Sequence, residues 1–167
     1  MSTSDTITES ALRLFYRQGF HASGVEQLSQ EAGVTKKTLY RHFSSKENLV
    51  EAALQLRHNE FMRKLREAME RVSEPYRPLA YIEFLAAWVN EPDFHGCAFI
   101  NASAEYSDQT DQPHILAKLH KQQVTAYLEK LCTDAMLHQP ILVARQLFLI
   151  GEGLIVACQV SGPSEEL

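Results

Sequence analysis

The stretch that decides the fold runs from Gly33 to Leu49 and reads GVTKKTLYRHFSSKENL. Lys36, Lys37, Arg41, His42 and Lys46 supply its basic character. Leu39, Tyr40 and Phe43 are threaded between them, and no acidic residue precedes Glu47. Leu39 and Phe43 stand four residues apart, the spacing of neighbours on one helix face. Thr35 suits a helix N-cap, because its hydroxyl can accept an N–H that the first turn leaves unpaired. The stretch predicts a short amphipathic helix from Lys36, with an apolar seat and a polar leading end.

Working outward, SGVEQLSQEAGV (23–34) predicts another short helix. Ser23 is its expected N-cap, Val25, Leu28 and Ala32 point inward, and Gly33 ends it. Two short helices around a glycine-bearing turn form a helix-turn-helix. Before them, SDTITESALRLFYRQGF (4–20) carries Ile7, Ala11, Leu14 and Phe15 on one face, capped by Ser4 or Asp5 and stopped at Gly19. After them, Ser44 or Ser45 caps a long fourth helix whose apolar positions run from Leu49 to Met69, with Pro75 just beyond.

Downstream the pattern stays helical, with no hairpin turn and no sustained alternation. A fifth helix is expected over Leu79–Val89, a short one over Cys97–Tyr106, a long one from Ile115 to about Leu137, and a strongly apolar one from Ile141 to about Val160. NEPDFHGC (90–97) and SDQTDQP (107–113) read as breaks. Ser164, Glu165 and Glu166 resemble a further helix start, so a final helix is expected beyond the sequence given. The predicted fold is all-α. A three-helix helix-turn-helix domain (1–46) is joined by a long helix to a larger helical domain (47–167).

Composition narrows the function. A chain of 167 residues, 45% apolar, can bury a core without disulfide or metal staples. Cys97, Cys132 and Cys158 are odd in number and lack CxxC spacing, which points to a reducing, cytoplasmic compartment. No signal-peptide pattern opens the chain. The longest apolar run, Leu147–Val160, is broken by Gly151, Glu152, Gly153 and Gln159 and reads as too short to span a membrane. The histidines show no metal-ligand spacing, and no phosphate-cradling loop, GxSxG or HExxH appears, so neither cofactor, metal nor catalytic residues are expected.

Net charge is −5, yet residues 33–46 hold four Lys/Arg and no acid. Residues 1–60 carry seven charges of each sign, and residues 61–167 carry nine cations against fourteen anions. Such a chain would turn its basic helix toward DNA and its acidic bulk away. Thr35, Lys36, Lys37 and Thr38 occupy the end that would enter the major groove, with Tyr40, Arg41, His42 and Lys46 placed for backbone contacts. The competing readings are a solvated helix with chance cations, a helical enzyme or ligand carrier, and a module docking on an acidic partner protein.

ALRLFYRQGFHASGVEQLSQEAGVTKKTLYRHFSSKENLVEAAL (11–54) resembles the N-terminal domain of the TetR (tetracycline-repressor) family of transcriptional regulators. The resemblance spans about residues 8 to 55, and HGCAFINASAEY (95–106) is similar to a segment of one branch. It implies a homodimer on a palindromic double-stranded operator, acting as a repressor that a small molecule releases. It also assigns Ser23 to a phosphate contact at the second helix's cap, and Tyr40, His42 and Lys46 to backbone positions. Arg41 falls where the family varies.

The candidate effector residues are Tyr81, Phe84, Trp88, Cys97, Phe99, Asn101, Glu105 and Tyr106, a concentration of aromatics with a few polar anchors. Plain core packing is the alternative for each. Cys97 near a helix start also admits thiol sensing, against an ordinary half-buried cysteine. The last helix is too apolar to face solvent and suits a central or dimer position, with Gly151 and Gly153 allowing close approach.

Overall fold

A computed structural model describes residues 2–162. Among these residues are helices α1 (Thr3–Gln18), α2 (Val25–Glu31), α3 (Lys36–His42), α4 (Lys46–Glu70), α5 (Arg77–Val89), α6 (Ala98–Glu105), α7 (Gln112–Asp134) and α8 (Pro140–Ser161). A 3-10 turn, Glu74–Tyr76, precedes α5, and the described residues contain no strand. The fold is all-α, as the periodicity requires.

The helices form two compact units. One comprises Met1–Glu60 with Ala98–Lys118, the other Phe61–Cys97 with Leu119–Leu167. The first unit extends past residue 46 into α4. Leu49, Val50, Ala53 and Leu54 of α4 are fully buried within the first unit, and α6 groups there too.

Local chemistry sets the boundaries. The Ser2 hydroxyl accepts the Asp5 N–H at 3.2 Å, and the Asp5 carboxylate accepts the Ser2 N–H at 2.8 Å. This capping box starts α1 at Thr3, upstream of the expected cap. Those Ser2 donors, the backbone N–H foremost, hold the Asp5 carboxyl below its usual range. Gly19 ends α1 at φ +93°. Of the two candidate serines before α4, Ser45 caps it, its hydroxyl accepting the Asn48 N–H at 3.1 Å. Pro113 falls in the first turn of α7, which begins upstream of the expected Ile115. Positive φ at Met136 and Gln139 closes the link to α8.

Helix α8 runs 22 residues without interruption. Length and composition alone would let it cross a membrane, a test that core helices also pass, so they mark no membrane span. Here it packs on α5. Gly151 seats that contact: a Cβ there would lie 2.6 Å from Leu85 Cδ1 and 2.9 Å from the Tyr81 hydroxyl. The expected helix start at Ser164 lies outside the described residues.

Candidate nucleic-acid interface

In the first unit α1 packs on α2, and α2 on α3. Ile7, Ala11, Leu14 and Phe15 of α1, Leu28 of α2 and Leu39 of α3 are buried there. The α2–α3 turn is closed by the Val34 N–H donating to the Ser29 carbonyl at 2.9 Å, with Gly33 at φ +65°. Thr35 caps α3, its Oγ1 accepting the Thr38 N–H at 3.1 Å. Phe43 then leaves the helix in extended conformation. Leu39 is fully buried and Phe43 is 9% exposed, so this pair seats α3 as its spacing predicts.

The opposite face carries the polar set. Thr35, Lys36, Lys37, Tyr40, Arg41 and His42 are exposed, and Thr38 and Lys46 half-buried. Lys36 makes an ion pair with Glu26 on α2. Both partners are more than half exposed, so the pair is weak and readily exchanged for another anion.

Ser23 departs from expectation. Gly24 is the N-cap of α2 and makes no side-chain cap bond. Ser23 is fully buried; its hydroxyl donates to the Gly19 carbonyl at 2.6 Å and accepts from the Gln18 amide at 3.2 Å. The hydroxyl is turned inward and ties off the end of α1.

The next feature was not legible in the sequence. Glu105, the last residue of α6, accepts the backbone N–H groups of Phe20 and His21 at 2.9 and 2.6 Å, and lies 3.1 Å from His21 Nδ1. The His21 carbonyl in turn accepts Lys46 Nζ at 3.3 Å. Tyr106 packs beside this turn, its ring centroid 4.7 Å from that of His21. Burial, then the Glu47, Glu105 and Asp111 carboxylates, push the Tyr106 phenol up to about 12. No local pattern signals contacts that span 84 and 85 residues.

The candidate effector residues fall into two groups. Phe99, Asn101, Glu105 and Tyr106 belong to the first unit, where Glu105 is committed to the Phe20–His21 turn. Tyr81, Phe84, Trp88 and Cys97 belong to the second unit. There Phe61 stands edge-on to Phe84, Trp88 and His120 at centroid distances of 5.6, 5.7 and 5.2 Å. Trp88 stands edge-on to Phe94 at 5.2 Å. Lys121 Nζ lies 3.5 Å from Cys97 Sγ and 2.7 Å from Glu152 Oε1. Burial, with Glu152 and Cys97 nearby, holds the Tyr81 phenol far above its ordinary range. Cys97 is buried rather than half-buried.

Residues 7–53 match the family model for bacterial regulatory proteins of the tetR family. The chain is 30% identical over 132 residues to the HTH-type transcriptional activator FasR of Mycolicibacterium smegmatis, covering 76% of this chain and 53% of that protein. It is 29% identical over 106 residues to the HTH-type transcriptional repressor DhaR of Mycobacterium sp. strain GP1, covering 63% of this chain and 52% of that protein. The chain thus spans about half the length of these two relatives. A solved structure of a TetR-type transcriptional regulator (sav143) from Streptomyces avermitilis superposes with a TM-score of 0.84 at 30% identity, over 98% of this chain and 89% of the other. The seated basic helix thus sits in an architecture shared along nearly the whole chain, and the protein belongs to the TetR family of transcriptional regulators, which are not enzymes.

Proposed function

We propose that the protein is a sequence-specific DNA-binding regulator that represses transcription as a cytoplasmic homodimer on a palindromic operator, and that a small molecule releases it. The observation that carries this is α3: Leu39 and Phe43 hold it down while exposed Thr35, Lys36 and Lys37 and half-buried Thr38 form its leading end. That end suits base edges in the major groove, and Tyr40, Arg41, His42 and Lys46 suit the flanking phosphates. Ser23 is left out of the set. Repression is the simpler sign, since occupying an operator blocks transcription without a further partner surface.

A second copy of the chain is supported by α8. Leu142, Leu149, Gly153, Val156 and Val160 recur at helical spacing along one exposed stripe, with Leu149 67% and Val160 80% exposed. Two copies would set the recognition helices about 34–36 Å apart for adjacent major grooves. For the effector, the aromatic set around Phe61 and Trp88 and the polar set of Tyr81, Cys97, Lys121 and Glu152 support a site within the second unit.

Binding to duplex libraries at several salt concentrations tests the reading. Lys46→Ala is expected to weaken all duplexes alike. Lys36→Ala and Lys37→Ala are expected to alter preference among sequences, by about 1–3 kcal/mol for each base no longer read. Equal losses on selected and random duplexes would remove the base-reading role. Duplex binding insensitive to salt would remove the interface.

A further inference from the structure

An acidic side chain ending a helix sits against that helix's own free carbonyls, a placement that costs stability. Glu105 ends α6 in this way. It is held there by donors from far along the chain, the N–H groups of Phe20 and His21 at 2.9 and 2.6 Å. Gly19 makes room for it: a Cβ at that position would come within 2.9 Å of Glu105 Oε1. Bonds from backbone N–H to a carboxylate are about twice as strong as neutral ones. The turn is therefore built around this anion.

The far side of the same residue holds a cation. The His21 carbonyl accepts Lys46 Nζ at 3.3 Å. Carboxylate, His21 main chain and ammonium stand in sequence, so the place of the His21 carbonyl, and with it that of the Lys46 head group, depends on Glu105. Resting on the phosphate role proposed above for Lys46, we infer that Glu105 is a positioning residue for DNA binding, acting through the His21 backbone on Lys46.

A carboxylate acting only through its charge gives the opposite sign, because removing an anion near the interface tightens binding to a polyanion. The chain and its Glu105→Gln, Glu105→Ala, Lys46→Ala and Glu105→Ala/Lys46→Ala variants are titrated with one random-sequence duplex across a salt series. Amide hydrogen exchange is followed at Phe20 and His21. Lys46→Ala is expected to weaken binding and lower the magnitude of the salt slope by about one. Glu105→Ala is expected to weaken binding in the wild-type background, to change nothing further once Lys46 is gone, and to speed exchange at both amides. Glu105→Gln, which keeps one acceptor oxygen, falls between. Tighter binding by either Glu105 variant, or equal losses with and without Lys46, overturns the inference and leaves the Lys46 reading intact. A Lys46→Ala protein with unchanged affinity and slope overturns both.

Discussion

Gly151 and Gly153 stand two residues apart on α8, and alanine is expected to stabilise at Gly153 but not at Gly151. In a helix interior alanine is favoured over glycine by about 1 kcal/mol. Nothing lies within 4 Å of a Cβ built at Gly153, so Gly153→Ala keeps that gain. At Gly151 the added carbon meets Leu85 Cδ1 at 2.6 Å and the Tyr81 hydroxyl and Cε1 at 2.9 and 3.0 Å. Leu85 and Tyr81 are both fully buried, so neither can swing into solvent. Overpacking such a site costs roughly 1–3 kcal/mol. Set against the propensity gain, Gly151→Ala should range from neutral to about 2 kcal/mol destabilising. Urea titration followed by helical circular dichroism, on dilute protein, measures both variants. Equal stabilisation by the two substitutions would mean that α8 is not seated on α5 through Gly151. The same pair probes association: Gly153 lies on the exposed Leu149–Val156 stripe, so a copy docked there would be pushed away by Gly153→Ala, and sedimentation at rising concentration would register a weaker dimer.

Leu39→Ala should cost about 2–5 kcal/mol, because it empties a fully buried site under α3, and duplex binding should fall with it. Ser23→Ala should cost about 1–3 kcal/mol in the same titration, by leaving buried polar partners unmatched, yet leave the duplex affinity of the folded protein unchanged. A folded variant with weaker duplex affinity would restore Ser23 to the interface. Alkaline unfolding follows from Tyr106. Its phenol is raised in the folded state from 10.0 to about 12, mainly by burial, so its contribution is complete below pH 10 and is lost as pH rises toward 12. Urea stability measured from pH 9 to 12 should decline across that window, and less steeply in Tyr106→Phe. Trp88 is the single tryptophan and packs against Phe61 and Phe94. A compound that releases the duplex by binding in the second unit should shift its emission, and release without a shift would put the effector elsewhere.

What the sequence revealed was local. Glycine stops at Gly19 and Gly33, the Thr35 cap and the Leu39–Phe43 pair each concern residues within one turn of each other, where backbone geometry alone decides. Gly151 and Gly153 do not interrupt the expected α8, because each lowers helix preference by only about 1 kcal/mol, which burial of a long apolar face outweighs. Ser23 misled the reading of α2. Serine and glycine both serve as N-caps, and what put Gly24 in that place was the Ser23 hydroxyl turning to the Gly19 carbonyl, a choice made by packing. The aromatics of residues 81–106 read as one cluster because they are close in sequence, yet the boundary between units falls at Cys97. Glu105 was the hardest to read, since its partners lie 84 and 85 residues away and are backbone groups that no side-chain pattern reports.

The charge arithmetic gives the interface a quantitative limit. Residues 33–46 hold four permanent cations, Lys36, Lys37, Arg41 and Lys46, and log affinity falls with log salt at about 0.9 per phosphate neutralised on B-DNA. If all four meet phosphates, each protomer contributes a slope magnitude of about 3.6; if Lys36 and Lys37 read bases instead, about 1.8. The other cations of residues 1–60 are Arg13, Arg17 and Arg57. Arg17 pairs with Glu31 at 3.8 Å, and Arg57 lies over the Tyr16 ring at 5.0 Å. Arg13 donates to the Ser10 hydroxyl at 3.0 Å, so a slope well above about 3.6 per protomer would require one of these three arginines, or cations beyond residue 60, to reach the duplex. A slope near about 1.8 on a selected operator that rises toward about 3.6 on random DNA would mean that the two lysines exchange phosphates for bases when the sequence is right. That change of slope separates a helix that reads sequence from one that merely carries charge, and it requires no knowledge of which genes are controlled.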